Sequence, residues 1–512
     1  MRLLKQFLAV LIILSVVPEY GLMALPFLGA FGMIFDSLEA VMEFRKANDG
    51  FVSNSVGETD LTALTGGQVL QAVNIDQTMI MLAQTTDTYE FLNTLFTRDI
   101  KNTLVFFDRI KDYGDFGRKS FVGEMDDATF KMPTLERISA YISFLAEGYY
   151  MSKVLSLTDN IHDPETIQSD AAIHRIMTTL SVANWYGNRD IFPLEYNGMS
   201  TELVNENRVE DAEGEIPTIA KLKDLINDIT MNNGLVNEVW MHNSVKQMLD
   251  NFYYTTNQFV LTPNQNSKLG YNIPGLFGTD LKEDSLVFRK DRWINRHTRK
   301  VSMIRDASGN LIEGKNDPKA PDTPTFTATL TGATVAGSKW KTGDVVDSAG
   351  NPSVIGYRIQ AVNSYGTSQA SAPVYTAANI LAGYGIDIDI TPAATGELAT
   401  GFEIFRETLP GSGDYRLIYT VKRAITPTTL WQDVNEWRAG CSEMFIGDFN
   451  SRGETTSFRT LQMIRLLPLM QTKFAPSAVY QRKMAGMVEW YGGLINLAPQ
   501  KFVMVKNVPT SV

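Results

Sequence analysis

The segment that most restricts the fold of this 512-residue chain is a long helical pattern, DPETIQSDAAIHRIMTTLSVANWYG, over Asp163–Gly187. Asp163 is a favourable N-cap, Pro164 suits the first helical turn, and Glu165 lies at the positive end of the helix dipole. Apolar residues recur three and four positions apart, which predicts one buried stripe: Ile173, Ile176, Met177, Leu180 and Ala183 with Asn184. We expect Gly187 to end the helix in the left-handed conformation. At about 1.5 Å per residue the helix is roughly 35 Å long, so the other elements must pack along a rod.

The composition is that of an ordinary globular protein, with 44% hydrophobic and 20% charged residues. The length allows roughly two to four domains. A net charge of −11 without a long basic run argues against a sequence-specific nucleic-acid binder, although local patches allow loose contact with DNA. The single cysteine, Cys441, cannot form an internal disulfide, which favours folding in a reducing compartment.

The N-terminus leaves two interpretations open. A basic start and the apolar run Phe7–Val17 have the pattern of a secretory signal, but the run is too short to span a bilayer. Pro18 and Glu19 separate it from a second apolar stretch, Leu22–Phe35, which contains Pro26 and two glycines and is also a poor spanning helix. We prefer a retained apolar arm that packs on a neighbouring subunit, and synthesis from Met23 is a further possibility.

An extended hairpin is predicted between Phe106 and Tyr150. FFDRIKDYGDFGRKSFVGEMDDATFKMP is rich in glycine and charge, and ERISAYISFLAEGYY then alternates like a strand. A long hairpin is only marginally stable alone in water, so another surface must cover aromatic residues near its tip. Without such a partner, the same pattern would give an exposed, mobile hairpin.

The segments after the long helix indicate a mixed α+β fold. Glu202–Glu215 is acidic and predicted to face solvent, and Ile219–Ile229 is predicted as a helix with one apolar side formed by Leu222, Leu225, Ile226 and Ile229. Asn237–Asn243 is predicted as a short buried strand, followed by a helix to Tyr253 that Asn243 or Ser244 caps. His242 at that junction is predicted to be a turn or core residue rather than a ligand.

The composition changes sharply at Asn316–Pro324, where three prolines indicate a stiff linker. From Thr325 to about Trp431 the short alternating runs and regular turn signals predict a β-sandwich. Tyr357–Gly366 and the later pair within Phe402–Ile418 resemble strands of fibronectin type III or immunoglobulin-like domains, but in the reverse order, so the topology stays open. This insertion is interpreted as decoration, as a brace between subunits or as an adhesive module, and the first two are preferred.

The C-terminal segment Lys483–Asn507 predicts two apolar strands separated by Gly492-Gly493 and by Ala498–Gln500. Pro499 cannot donate a ladder hydrogen bond, so it fits a break between strands.

Taken in order, four segments resemble the major capsid proteins of tailed bacteriophages with the Hong Kong 97 fold. They are the long helix with the loop NRDIFPLEYNGM, the Met241-His242-Asn243 junction, the loop YNIPGLFG at Tyr271–Gly278, and the C-terminal strands. Cys441–Phe449 likewise resembles a strand and its end turn in that fold's axial domain.

The resemblance implies an α+β Hong Kong 97-like capsid fold with an inserted all-β sandwich. The implied parts are an N-terminal arm (1–60), a helical lead-in (61–105), an E-loop hairpin (106–150), the spine helix and peripheral domain (151–225), an axial domain (226–315), an inserted immunoglobulin-like domain (316–440), and the end of the axial domain with C-terminal peripheral strands (441–512). In this family the E-loop reaches an adjacent subunit. The implied subunit-interface residues are Phe116, Arg118, Lys119, Phe121 and Phe130.

The function implied is self-assembly, through hexamers and pentamers, into an icosahedral shell around double-stranded phage DNA. Implied partners are other virion proteins, such as portal or decoration proteins, and packaged DNA through non-specific contact, with no membrane. The protein would be assembled in the host cytoplasm and reside in the virion. Some capsids of this fold form covalent crosslinks between a lysine and an asparagine. Lys119 is a candidate lysine for such a crosslink, and no asparagine partner is assigned to it. The alternative is a secreted or cell-surface protein with an immunoglobulin-like binding module, which the lack of disulfides disfavours.

An enzymatic function is not predicted. The chain has no nucleophile elbow, P-loop, dinucleotide fingerprint, HExxH or CxxC motif. The carboxylate pairs Asp126-Asp127 and Asp387 with Asp389 lie in segments predicted as solvent-facing hairpins. We therefore predict no catalytic, cofactor-binding or metal-binding residues.

Overall fold

The computed structural model describes residues 89–112, 124, 127, 132–157, 163–232, 234, 236–256, 287–305, 310–346, 350–351, 353–449, 460–474 and 483–510. They belong to one compact unit of the chain, Ile80–Val512. The predicted N-terminal arm and the loop at Tyr271–Gly278 lie outside the described residues.

The described residues form six α-helices and twenty strands, with two further 3₁₀ turns at Arg296–Thr298 and Pro499–Lys501. The helices are α1 (Glu90–Thr94), α2 (Lys153–Leu157), α3 (Pro164–Tyr186), α4 (Met199–Asn205), α5 (Ile219–Met231) and α6 (Asn243–Thr256). The strands before the predicted insertion are β1 (Phe96–Asp99), β2 (Leu104–Asp112), β3 (Thr134–Tyr141), β4 (Ser143–Ser152), β5 (Val209–Asp211), β6 (Glu238–Met241), β7 (Val287–Lys290), β8 (Met303–Arg305) and β9 (Leu311–Glu313). The later strands are β10 (Thr325–Thr334), β11 (Gly356–Val362), β12 (Val374–Tyr375), β13 (Tyr384–Thr391), β14 (Gly401–Glu407), β15 (Tyr415–Lys422), β16 (Thr429–Asp433), β17 (Ser442–Gly447), β18 (Leu461–Lys473), β19 (Lys483–Asn496) and β20 (Phe502–Val508).

The long helix α3 begins as predicted. The Asp163 side chain accepts a hydrogen bond from the backbone N–H of Glu165, and Pro164 occupies the first turn. The prediction for Gly187 is wrong, because its backbone has φ −51° and ψ 136° and is not left-handed. Glycine is required there for space instead: a Cβ atom on Gly187 would lie 2.4 Å from the carbonyl oxygen of Tyr196.

A four-stranded sheet in the order β1-β18-β19-β4 packs one face against α3. Its β1 strand pairs parallel to β18, so Phe96–Asp99 lies beside residues more than 350 positions later. The sequence predicted a strand boundary at Gly492-Gly493, and this is wrong: β19 continues through both glycines to Asn496. A Cβ on Gly492 would lie 2.4 Å from the carbonyl oxygen of Ile464, so the glycine permits close approach of β18 rather than a break.

A five-stranded sheet in the order β5-β20-β17-β6-β7 forms the second layer. Helices α5 and α6 cover one face with an apolar core that includes Leu222, Ile229 and Leu249. On the other face, Trp185 from the last turn of α3 packs between Phe91 and Phe445, with ring centroids 4.1 Å and 4.7 Å away. Helix α3 therefore joins the two sheets.

Two further predictions are corrected. The stretch Glu202–Glu215 is not simply solvent-facing, because it contains most of α4 and all of β5 and buries Leu203 and Ala212 against the sheet. The helical lead-in predicted over residues 61–105 has, within its described part, only the five-residue helix α1, and Phe96 already opens β1.

Between residues 325 and 433 the chain forms a three-stranded sheet, β10-β13-β16, and a four-stranded sheet, β12-β11-β14-β15. The strand pairing predicted within Phe402–Ile418 is confirmed by the antiparallel ladder of β14 and β15. A buried polar contact joins the two sheets: the hydroxyl of Tyr357 on β11 donates to Asp433 Oδ2 on β16 at 2.7 Å.

Candidate assembly surface

The hairpin predicted over Phe106–Tyr150 is present only in part, as the two strands β2 and β3. The segment predicted as one returning strand divides at Ile142, and its second half is β4, which pairs with β19 of the four-stranded sheet instead. Strands β2 and β3 pair antiparallel from Leu104 opposite Tyr141 to Asp112 opposite Thr134, with one irregularity near the end. Side chains directly opposite each other in such a ladder share a face. Phe106 and Ile110 therefore lie on the same face as Leu135 and Tyr141.

This face, which we call the hairpin face, is apolar and exposed. It comprises Phe106, Ile110, Leu135 and Tyr141. Phe106 keeps 57% of its surface exposed and Leu135 keeps 67%. In the strand register, Ile110 lies opposite Leu135 and Phe106 lies diagonal to Tyr141, so the face has two exposed apolar pairs. Large apolar side chains grouped on an exposed surface mark interaction sites.

The opposite face of the hairpin packs on the four-stranded sheet at the end of the hairpin nearest Tyr141, which we call its root. Val105, Phe107 and Ala140 join a small core with Ile464 and Ile495 of the four-stranded sheet. The backbone N–H of Ile142 also donates to the carbonyl oxygen of Thr103 at 3.2 Å. The root of the hairpin is therefore fixed on the sheet, and the hairpin face points away from this contact.

Ion pairs further define the hairpin. Arg109 binds Glu136 on the neighbouring strand at 2.7 Å and Glu206 after α4 at 3.3 Å, which ties the hairpin to the body. On the exposed side, Arg137 donates to Asp108, and this hydrogen bond lowers the pKa of the Asp108 carboxyl. Because both of these side chains are well exposed, the pair interrupts the hairpin face with charge but adds little stability.

A second apolar surface lies on the four-stranded sheet, on the face turned away from α3. We call it the sheet face and define it as Phe144, Tyr150 and Met470. Phe144 is 59% exposed and Tyr150 is 65% exposed, and both alternate along β4 with residues that face α3. The Phe144 ring meets the Tyr491 ring edge-on at 5.0 Å. Strand β4 is also at the edge of its sheet, where backbone groups are open to a further strand.

The interface residues predicted from the sequence, Phe116, Arg118, Lys119, Phe121 and Phe130, all lie outside the described residues. The residues of the hairpin face and the sheet face were not singled out by sequence reasoning. A signal was available, because β2 and β4 carry large apolar residues at positions of both parities, and a strand with one solvated face should alternate with polar residues.

Of the two carboxylate pairs considered in the sequence, Asp387 with Asp389 lies among the described residues, and Asp126 lies outside them. Asp387 and Asp389 lie on the outward face of β13 rather than in a cleft. Within the same residues, no group of three or more His, Cys, Asp and Glu side chains is placed to hold a metal ion. None of the helices in the described part has the length and apolar character needed to cross a bilayer.

Comparison with known proteins finds similar chains among phage proteins. The major capsid protein of Staphylococcus phage K is 24% identical over 465 residues, which cover 88% of this chain and 92% of the relative. The major capsid protein of Staphylococcus phage S25-3 matches with the same identity and coverage. The chain is similar to phage major capsid proteins over most of its length. No family model matches the chain.

Solved structures of low overall similarity include capsid chains. The capsid of a native GTA particle is 10% identical, with a TM-score of 0.39, over 88% of this chain and 100% of that one. A structure from Mycobacterium phage Ogopogo is also 10% identical with a TM-score of 0.39, over 88% and 99% of the two chains. An encapsulin complex from Synechococcus elongatus has a TM-score of 0.37 and 9% identity, over 89% and 98%.

Proposed function

We propose that this chain is a major capsid protein whose copies assemble into the shell of a tailed phage. The relatives' names bear out the capsid function predicted from the sequence and give no support to the secreted alternative. The observation that carries the mechanism is the hairpin face, an exposed apolar surface on a two-stranded element rooted in the body by Arg109 and Ile142.

The assembly mechanism is burial of apolar surface between copies. Removing apolar surface from water contributes about 25 cal/mol of favourable free energy per Å². Burial of several aromatic and aliphatic side chains is therefore a substantial driving force for association. The sheet face is also apolar, and two of its residues, Phe144 and Tyr150, lie on the edge strand β4. We propose that the hairpin of one copy packs on a neighbouring copy and that the sheet face takes part in such contacts. We propose that the interface residues predicted from the sequence take part as well: Phe116, Arg118, Lys119, Phe121 and Phe130.

Several finer features belong to this proposal. The shell is icosahedral, is built from hexamers and pentamers, and encloses double-stranded DNA that the protein contacts non-specifically. Residues 316–440 form an inserted immunoglobulin-like domain that decorates or braces the shell, and the apolar N-terminal segment acts as an arm on a neighbouring subunit. The polypeptide itself is not an enzyme, assembles in the host cytoplasm, and joins portal or decoration proteins in the virion.

The proposal is tested by the assembly state of the full-length protein. The double variant Phe106→Ser with Leu135→Ser removes apolar surface from the hairpin face without touching the buried root. In sedimentation velocity and negative-stain microscopy, the unaltered protein should form shells, capsomers or other large assemblies. We expect the variant to lower the assembled fraction at least tenfold at equal concentration.

Leu430→Ser is the matched control, because Leu430 is at least as exposed but lies on β16, away from the hairpin. It should assemble like the unaltered protein, and all three proteins should have the same circular dichroism spectrum. A stable, monodisperse monomer of the unaltered full-length chain at high concentration would contradict assembly as the function. Equal loss of assembly in the control would contradict the role of the hairpin face.

A further inference from the structure

Two histidines meet at the junction between the five-stranded sheet and the region of residues 325–433. His242 follows β6, and His297 lies in the 3₁₀ turn Arg296–Thr298, with ring centroids 4.4 Å apart. Ser244, in the first turn of α6, lies between them. Its Oγ is 2.8 Å from His242 Nδ1 and 3.1 Å from His297 Nε2. His297 is 98% buried, since only 2% of its surface is exposed.

The hydrogen bonds require a neutral His242. The backbone N–H of Ser244 donates to His242 Nδ1 at 3.1 Å, so this nitrogen must be an acceptor. A proton on Nδ1 would turn the acceptor into a donor and break that bond. On the other ring, His297 Nδ1 is buried and has no hydrogen-bond partner, so a proton there would also be unsatisfied.

The charges around the two rings also disfavour protonation. Burial, together with His242 and Arg416, lowers the pKa of His297 to about 3, and burial with Arg292 lowers the pKa of His242. Three acidic groups of the adjoining elements are engaged elsewhere. Asp414 pairs with Lys300 and Arg416, Glu443 pairs with Arg296, and Asp291 accepts from Trp185 and Trp293.

The turn that carries His297 is held from its other side by the strands of the 325–433 region. The backbone N–H of Leu417 on β15 donates to the carbonyl oxygen of Arg299 at 3.1 Å. Arg416 Nη1 donates to the carbonyl oxygen of Thr298 at 3.3 Å, and Arg299 binds Glu403 on β14 at 2.6 Å. The Arg296–Thr298 turn therefore packs between α6 on one side and the β14-β15 ladder on the other.

We propose that His242, Ser244 and His297 form a pH-sensitive latch, which holds the Arg296–Thr298 turn against α6 at neutral pH and releases it on acidification. Release loosens the contact between the five-stranded sheet and the β14-β15 ladder. This inference does not depend on the proposed capsid function.

Proton linkage determines whether acid favours the open or the closed form. An exposed histidine has a pKa of about 6.5, and the latched histidines have lower values. The open state therefore binds more protons below pH 6.5, and each histidine favours opening by about tenfold per pH unit. Two buried carboxyls act in the opposite sense: burial raises the pKa of Asp291 to about 6 and of Glu195 to about 7, so acid stabilises the closed form through them.

The test is amide hydrogen exchange of the full-length protein at pH 7.5, 6.5 and 5.5, corrected for the intrinsic exchange rate. Protection of the Arg296–Thr298 turn and of β15 should fall about a hundredfold from pH 7.5 to 5.5 when both histidines contribute and Asp291 and Glu195 stay buried in the open form. His242→Gln and His297→Gln should each reduce that fall to about tenfold, and the double variant should abolish it. Glutamine keeps a hydrogen-bonding group next to Ser244 and does not titrate.

His174→Gln is the control, because His174 is a histidine of α3 that contacts Tyr89 rather than the latch. It should retain the full hundredfold fall. Unchanged protection of the turn in the unaltered protein between pH 7.5 and 5.5 would overturn the proposal. The same conclusion follows if either single variant keeps the hundredfold fall.

Discussion

At the scale of single residues, Arg406 and Asp433 form an ion pair in the interior of the 325–433 region. Their side chains are 2.6 Å apart, and both are almost fully buried. Asp433 also accepts from the hydroxyl of Tyr357, and burial next to this carboxylate raises the pKa of Tyr357 well above its usual value. The Arg406 guanidinium lies over the ring of Trp340, 4.8 Å from the centroid. The charges are therefore held by directed contacts that fix how the two sheets face each other.

Asp433→Asn should be strongly destabilising, because it leaves the buried Arg406 guanidinium without its counter-charge. We expect a loss of about 3 to 5 kcal/mol in the free energy of unfolding. Asp414→Asn is the matched control, since Asp414 pairs with Arg416 and Lys300 near the surface, and it should cost less than about 1 kcal/mol. Urea denaturation at pH 7 measures both, and equal losses would contradict the buried-pair account.

Glu195 gives the stability a specific pH dependence. Burial raises the pKa of this carboxyl to about 7, so the folded protein prefers it neutral. Its contribution to stability is complete below about pH 4.5 and is lost as the pH rises through 7. Glu195→Gln keeps an acceptor for the backbone of Asn188 without a charge. At pH 8 the free energy of unfolding of the variant should exceed that of the unaltered protein by about 1 to 3 kcal/mol, and its melting temperature should be higher. At pH 5 the two proteins should melt at the same temperature. A constant difference across this range would contradict the assignment.

At the scale of secondary-structure elements, the end of α3 depends on two glycines that lie side by side. The backbone N–H of Gly198 donates to the carbonyl oxygen of Gly187 at 2.8 Å, which closes the loop that follows the helix. A Cβ atom on Gly198 would lie 2.4 Å from the carbonyl oxygen of Ala183 and 2.7 Å from the Gly187 nitrogen. These are backbone atoms, so no side-chain rotation relieves the clash.

Gly198→Ala should therefore destabilise the protein by several kcal/mol or prevent soluble expression. Gly148→Ala on β4 is the control, because a Cβ there would have no atom within 4 Å. Alanine at that position should be neutral or slightly stabilising, since glycine in a strand loses more conformational freedom on folding. Thermal unfolding followed by circular dichroism separates the two, and similar melting temperatures would contradict the close-approach explanation.

The same elements show what the sequence could predict. The helix α3, the strand that ends at Met241, the helix Ile219–Met231 and the break at Pro499 depend on local signals, namely caps, periodicity and proline, and they were predicted to within a few residues. Gly187 and Gly492 were misinterpreted because their role is set by atoms far along the chain, Tyr196 and Ile464. The hairpin face was missed for a related reason. Only the cross-strand register decides which apolar residues share a side.

At the scale of the whole molecule, the 325–433 region contacts the rest of the described chain along a seam that combines ion pairs with apolar packing. Val301, for example, packs against Phe405 and Leu417. Lys339 binds Asp211 on β5 at 2.5 Å, and Arg299 binds Glu403 at 2.6 Å. Lys341 binds Glu213 at 2.5 Å. Such pairs favour a defined orientation and are weaker than a shared apolar interface of the same size.

Deleting Asp317–Arg438 and joining the ends should therefore leave a folded core with a lower melting temperature. The full-length variant Lys339→Ala with Glu403→Ala is the companion control, because it removes two seam contacts and keeps the region. We expect its melting temperature to lie between those of the deletion and the unaltered protein. Calorimetry with far-ultraviolet circular dichroism measures this, and loss of helical signal in the soluble deletion variant would show that the region is not separable.

The pairing of early and late strands has a consequence for synthesis on the ribosome. Both the four-stranded and the five-stranded sheet contain strands from β17–β20, so neither can close until almost the whole polypeptide has emerged. At about 5 to 20 residues per second, the earlier strands wait on the order of a minute with their apolar sides uncovered. The sheets of β10–β16 use only neighbouring segments and can form while translation continues. A nascent chain would thus carry one finished module beside unfinished ones, and occupancy by chaperones should be concentrated on the latter.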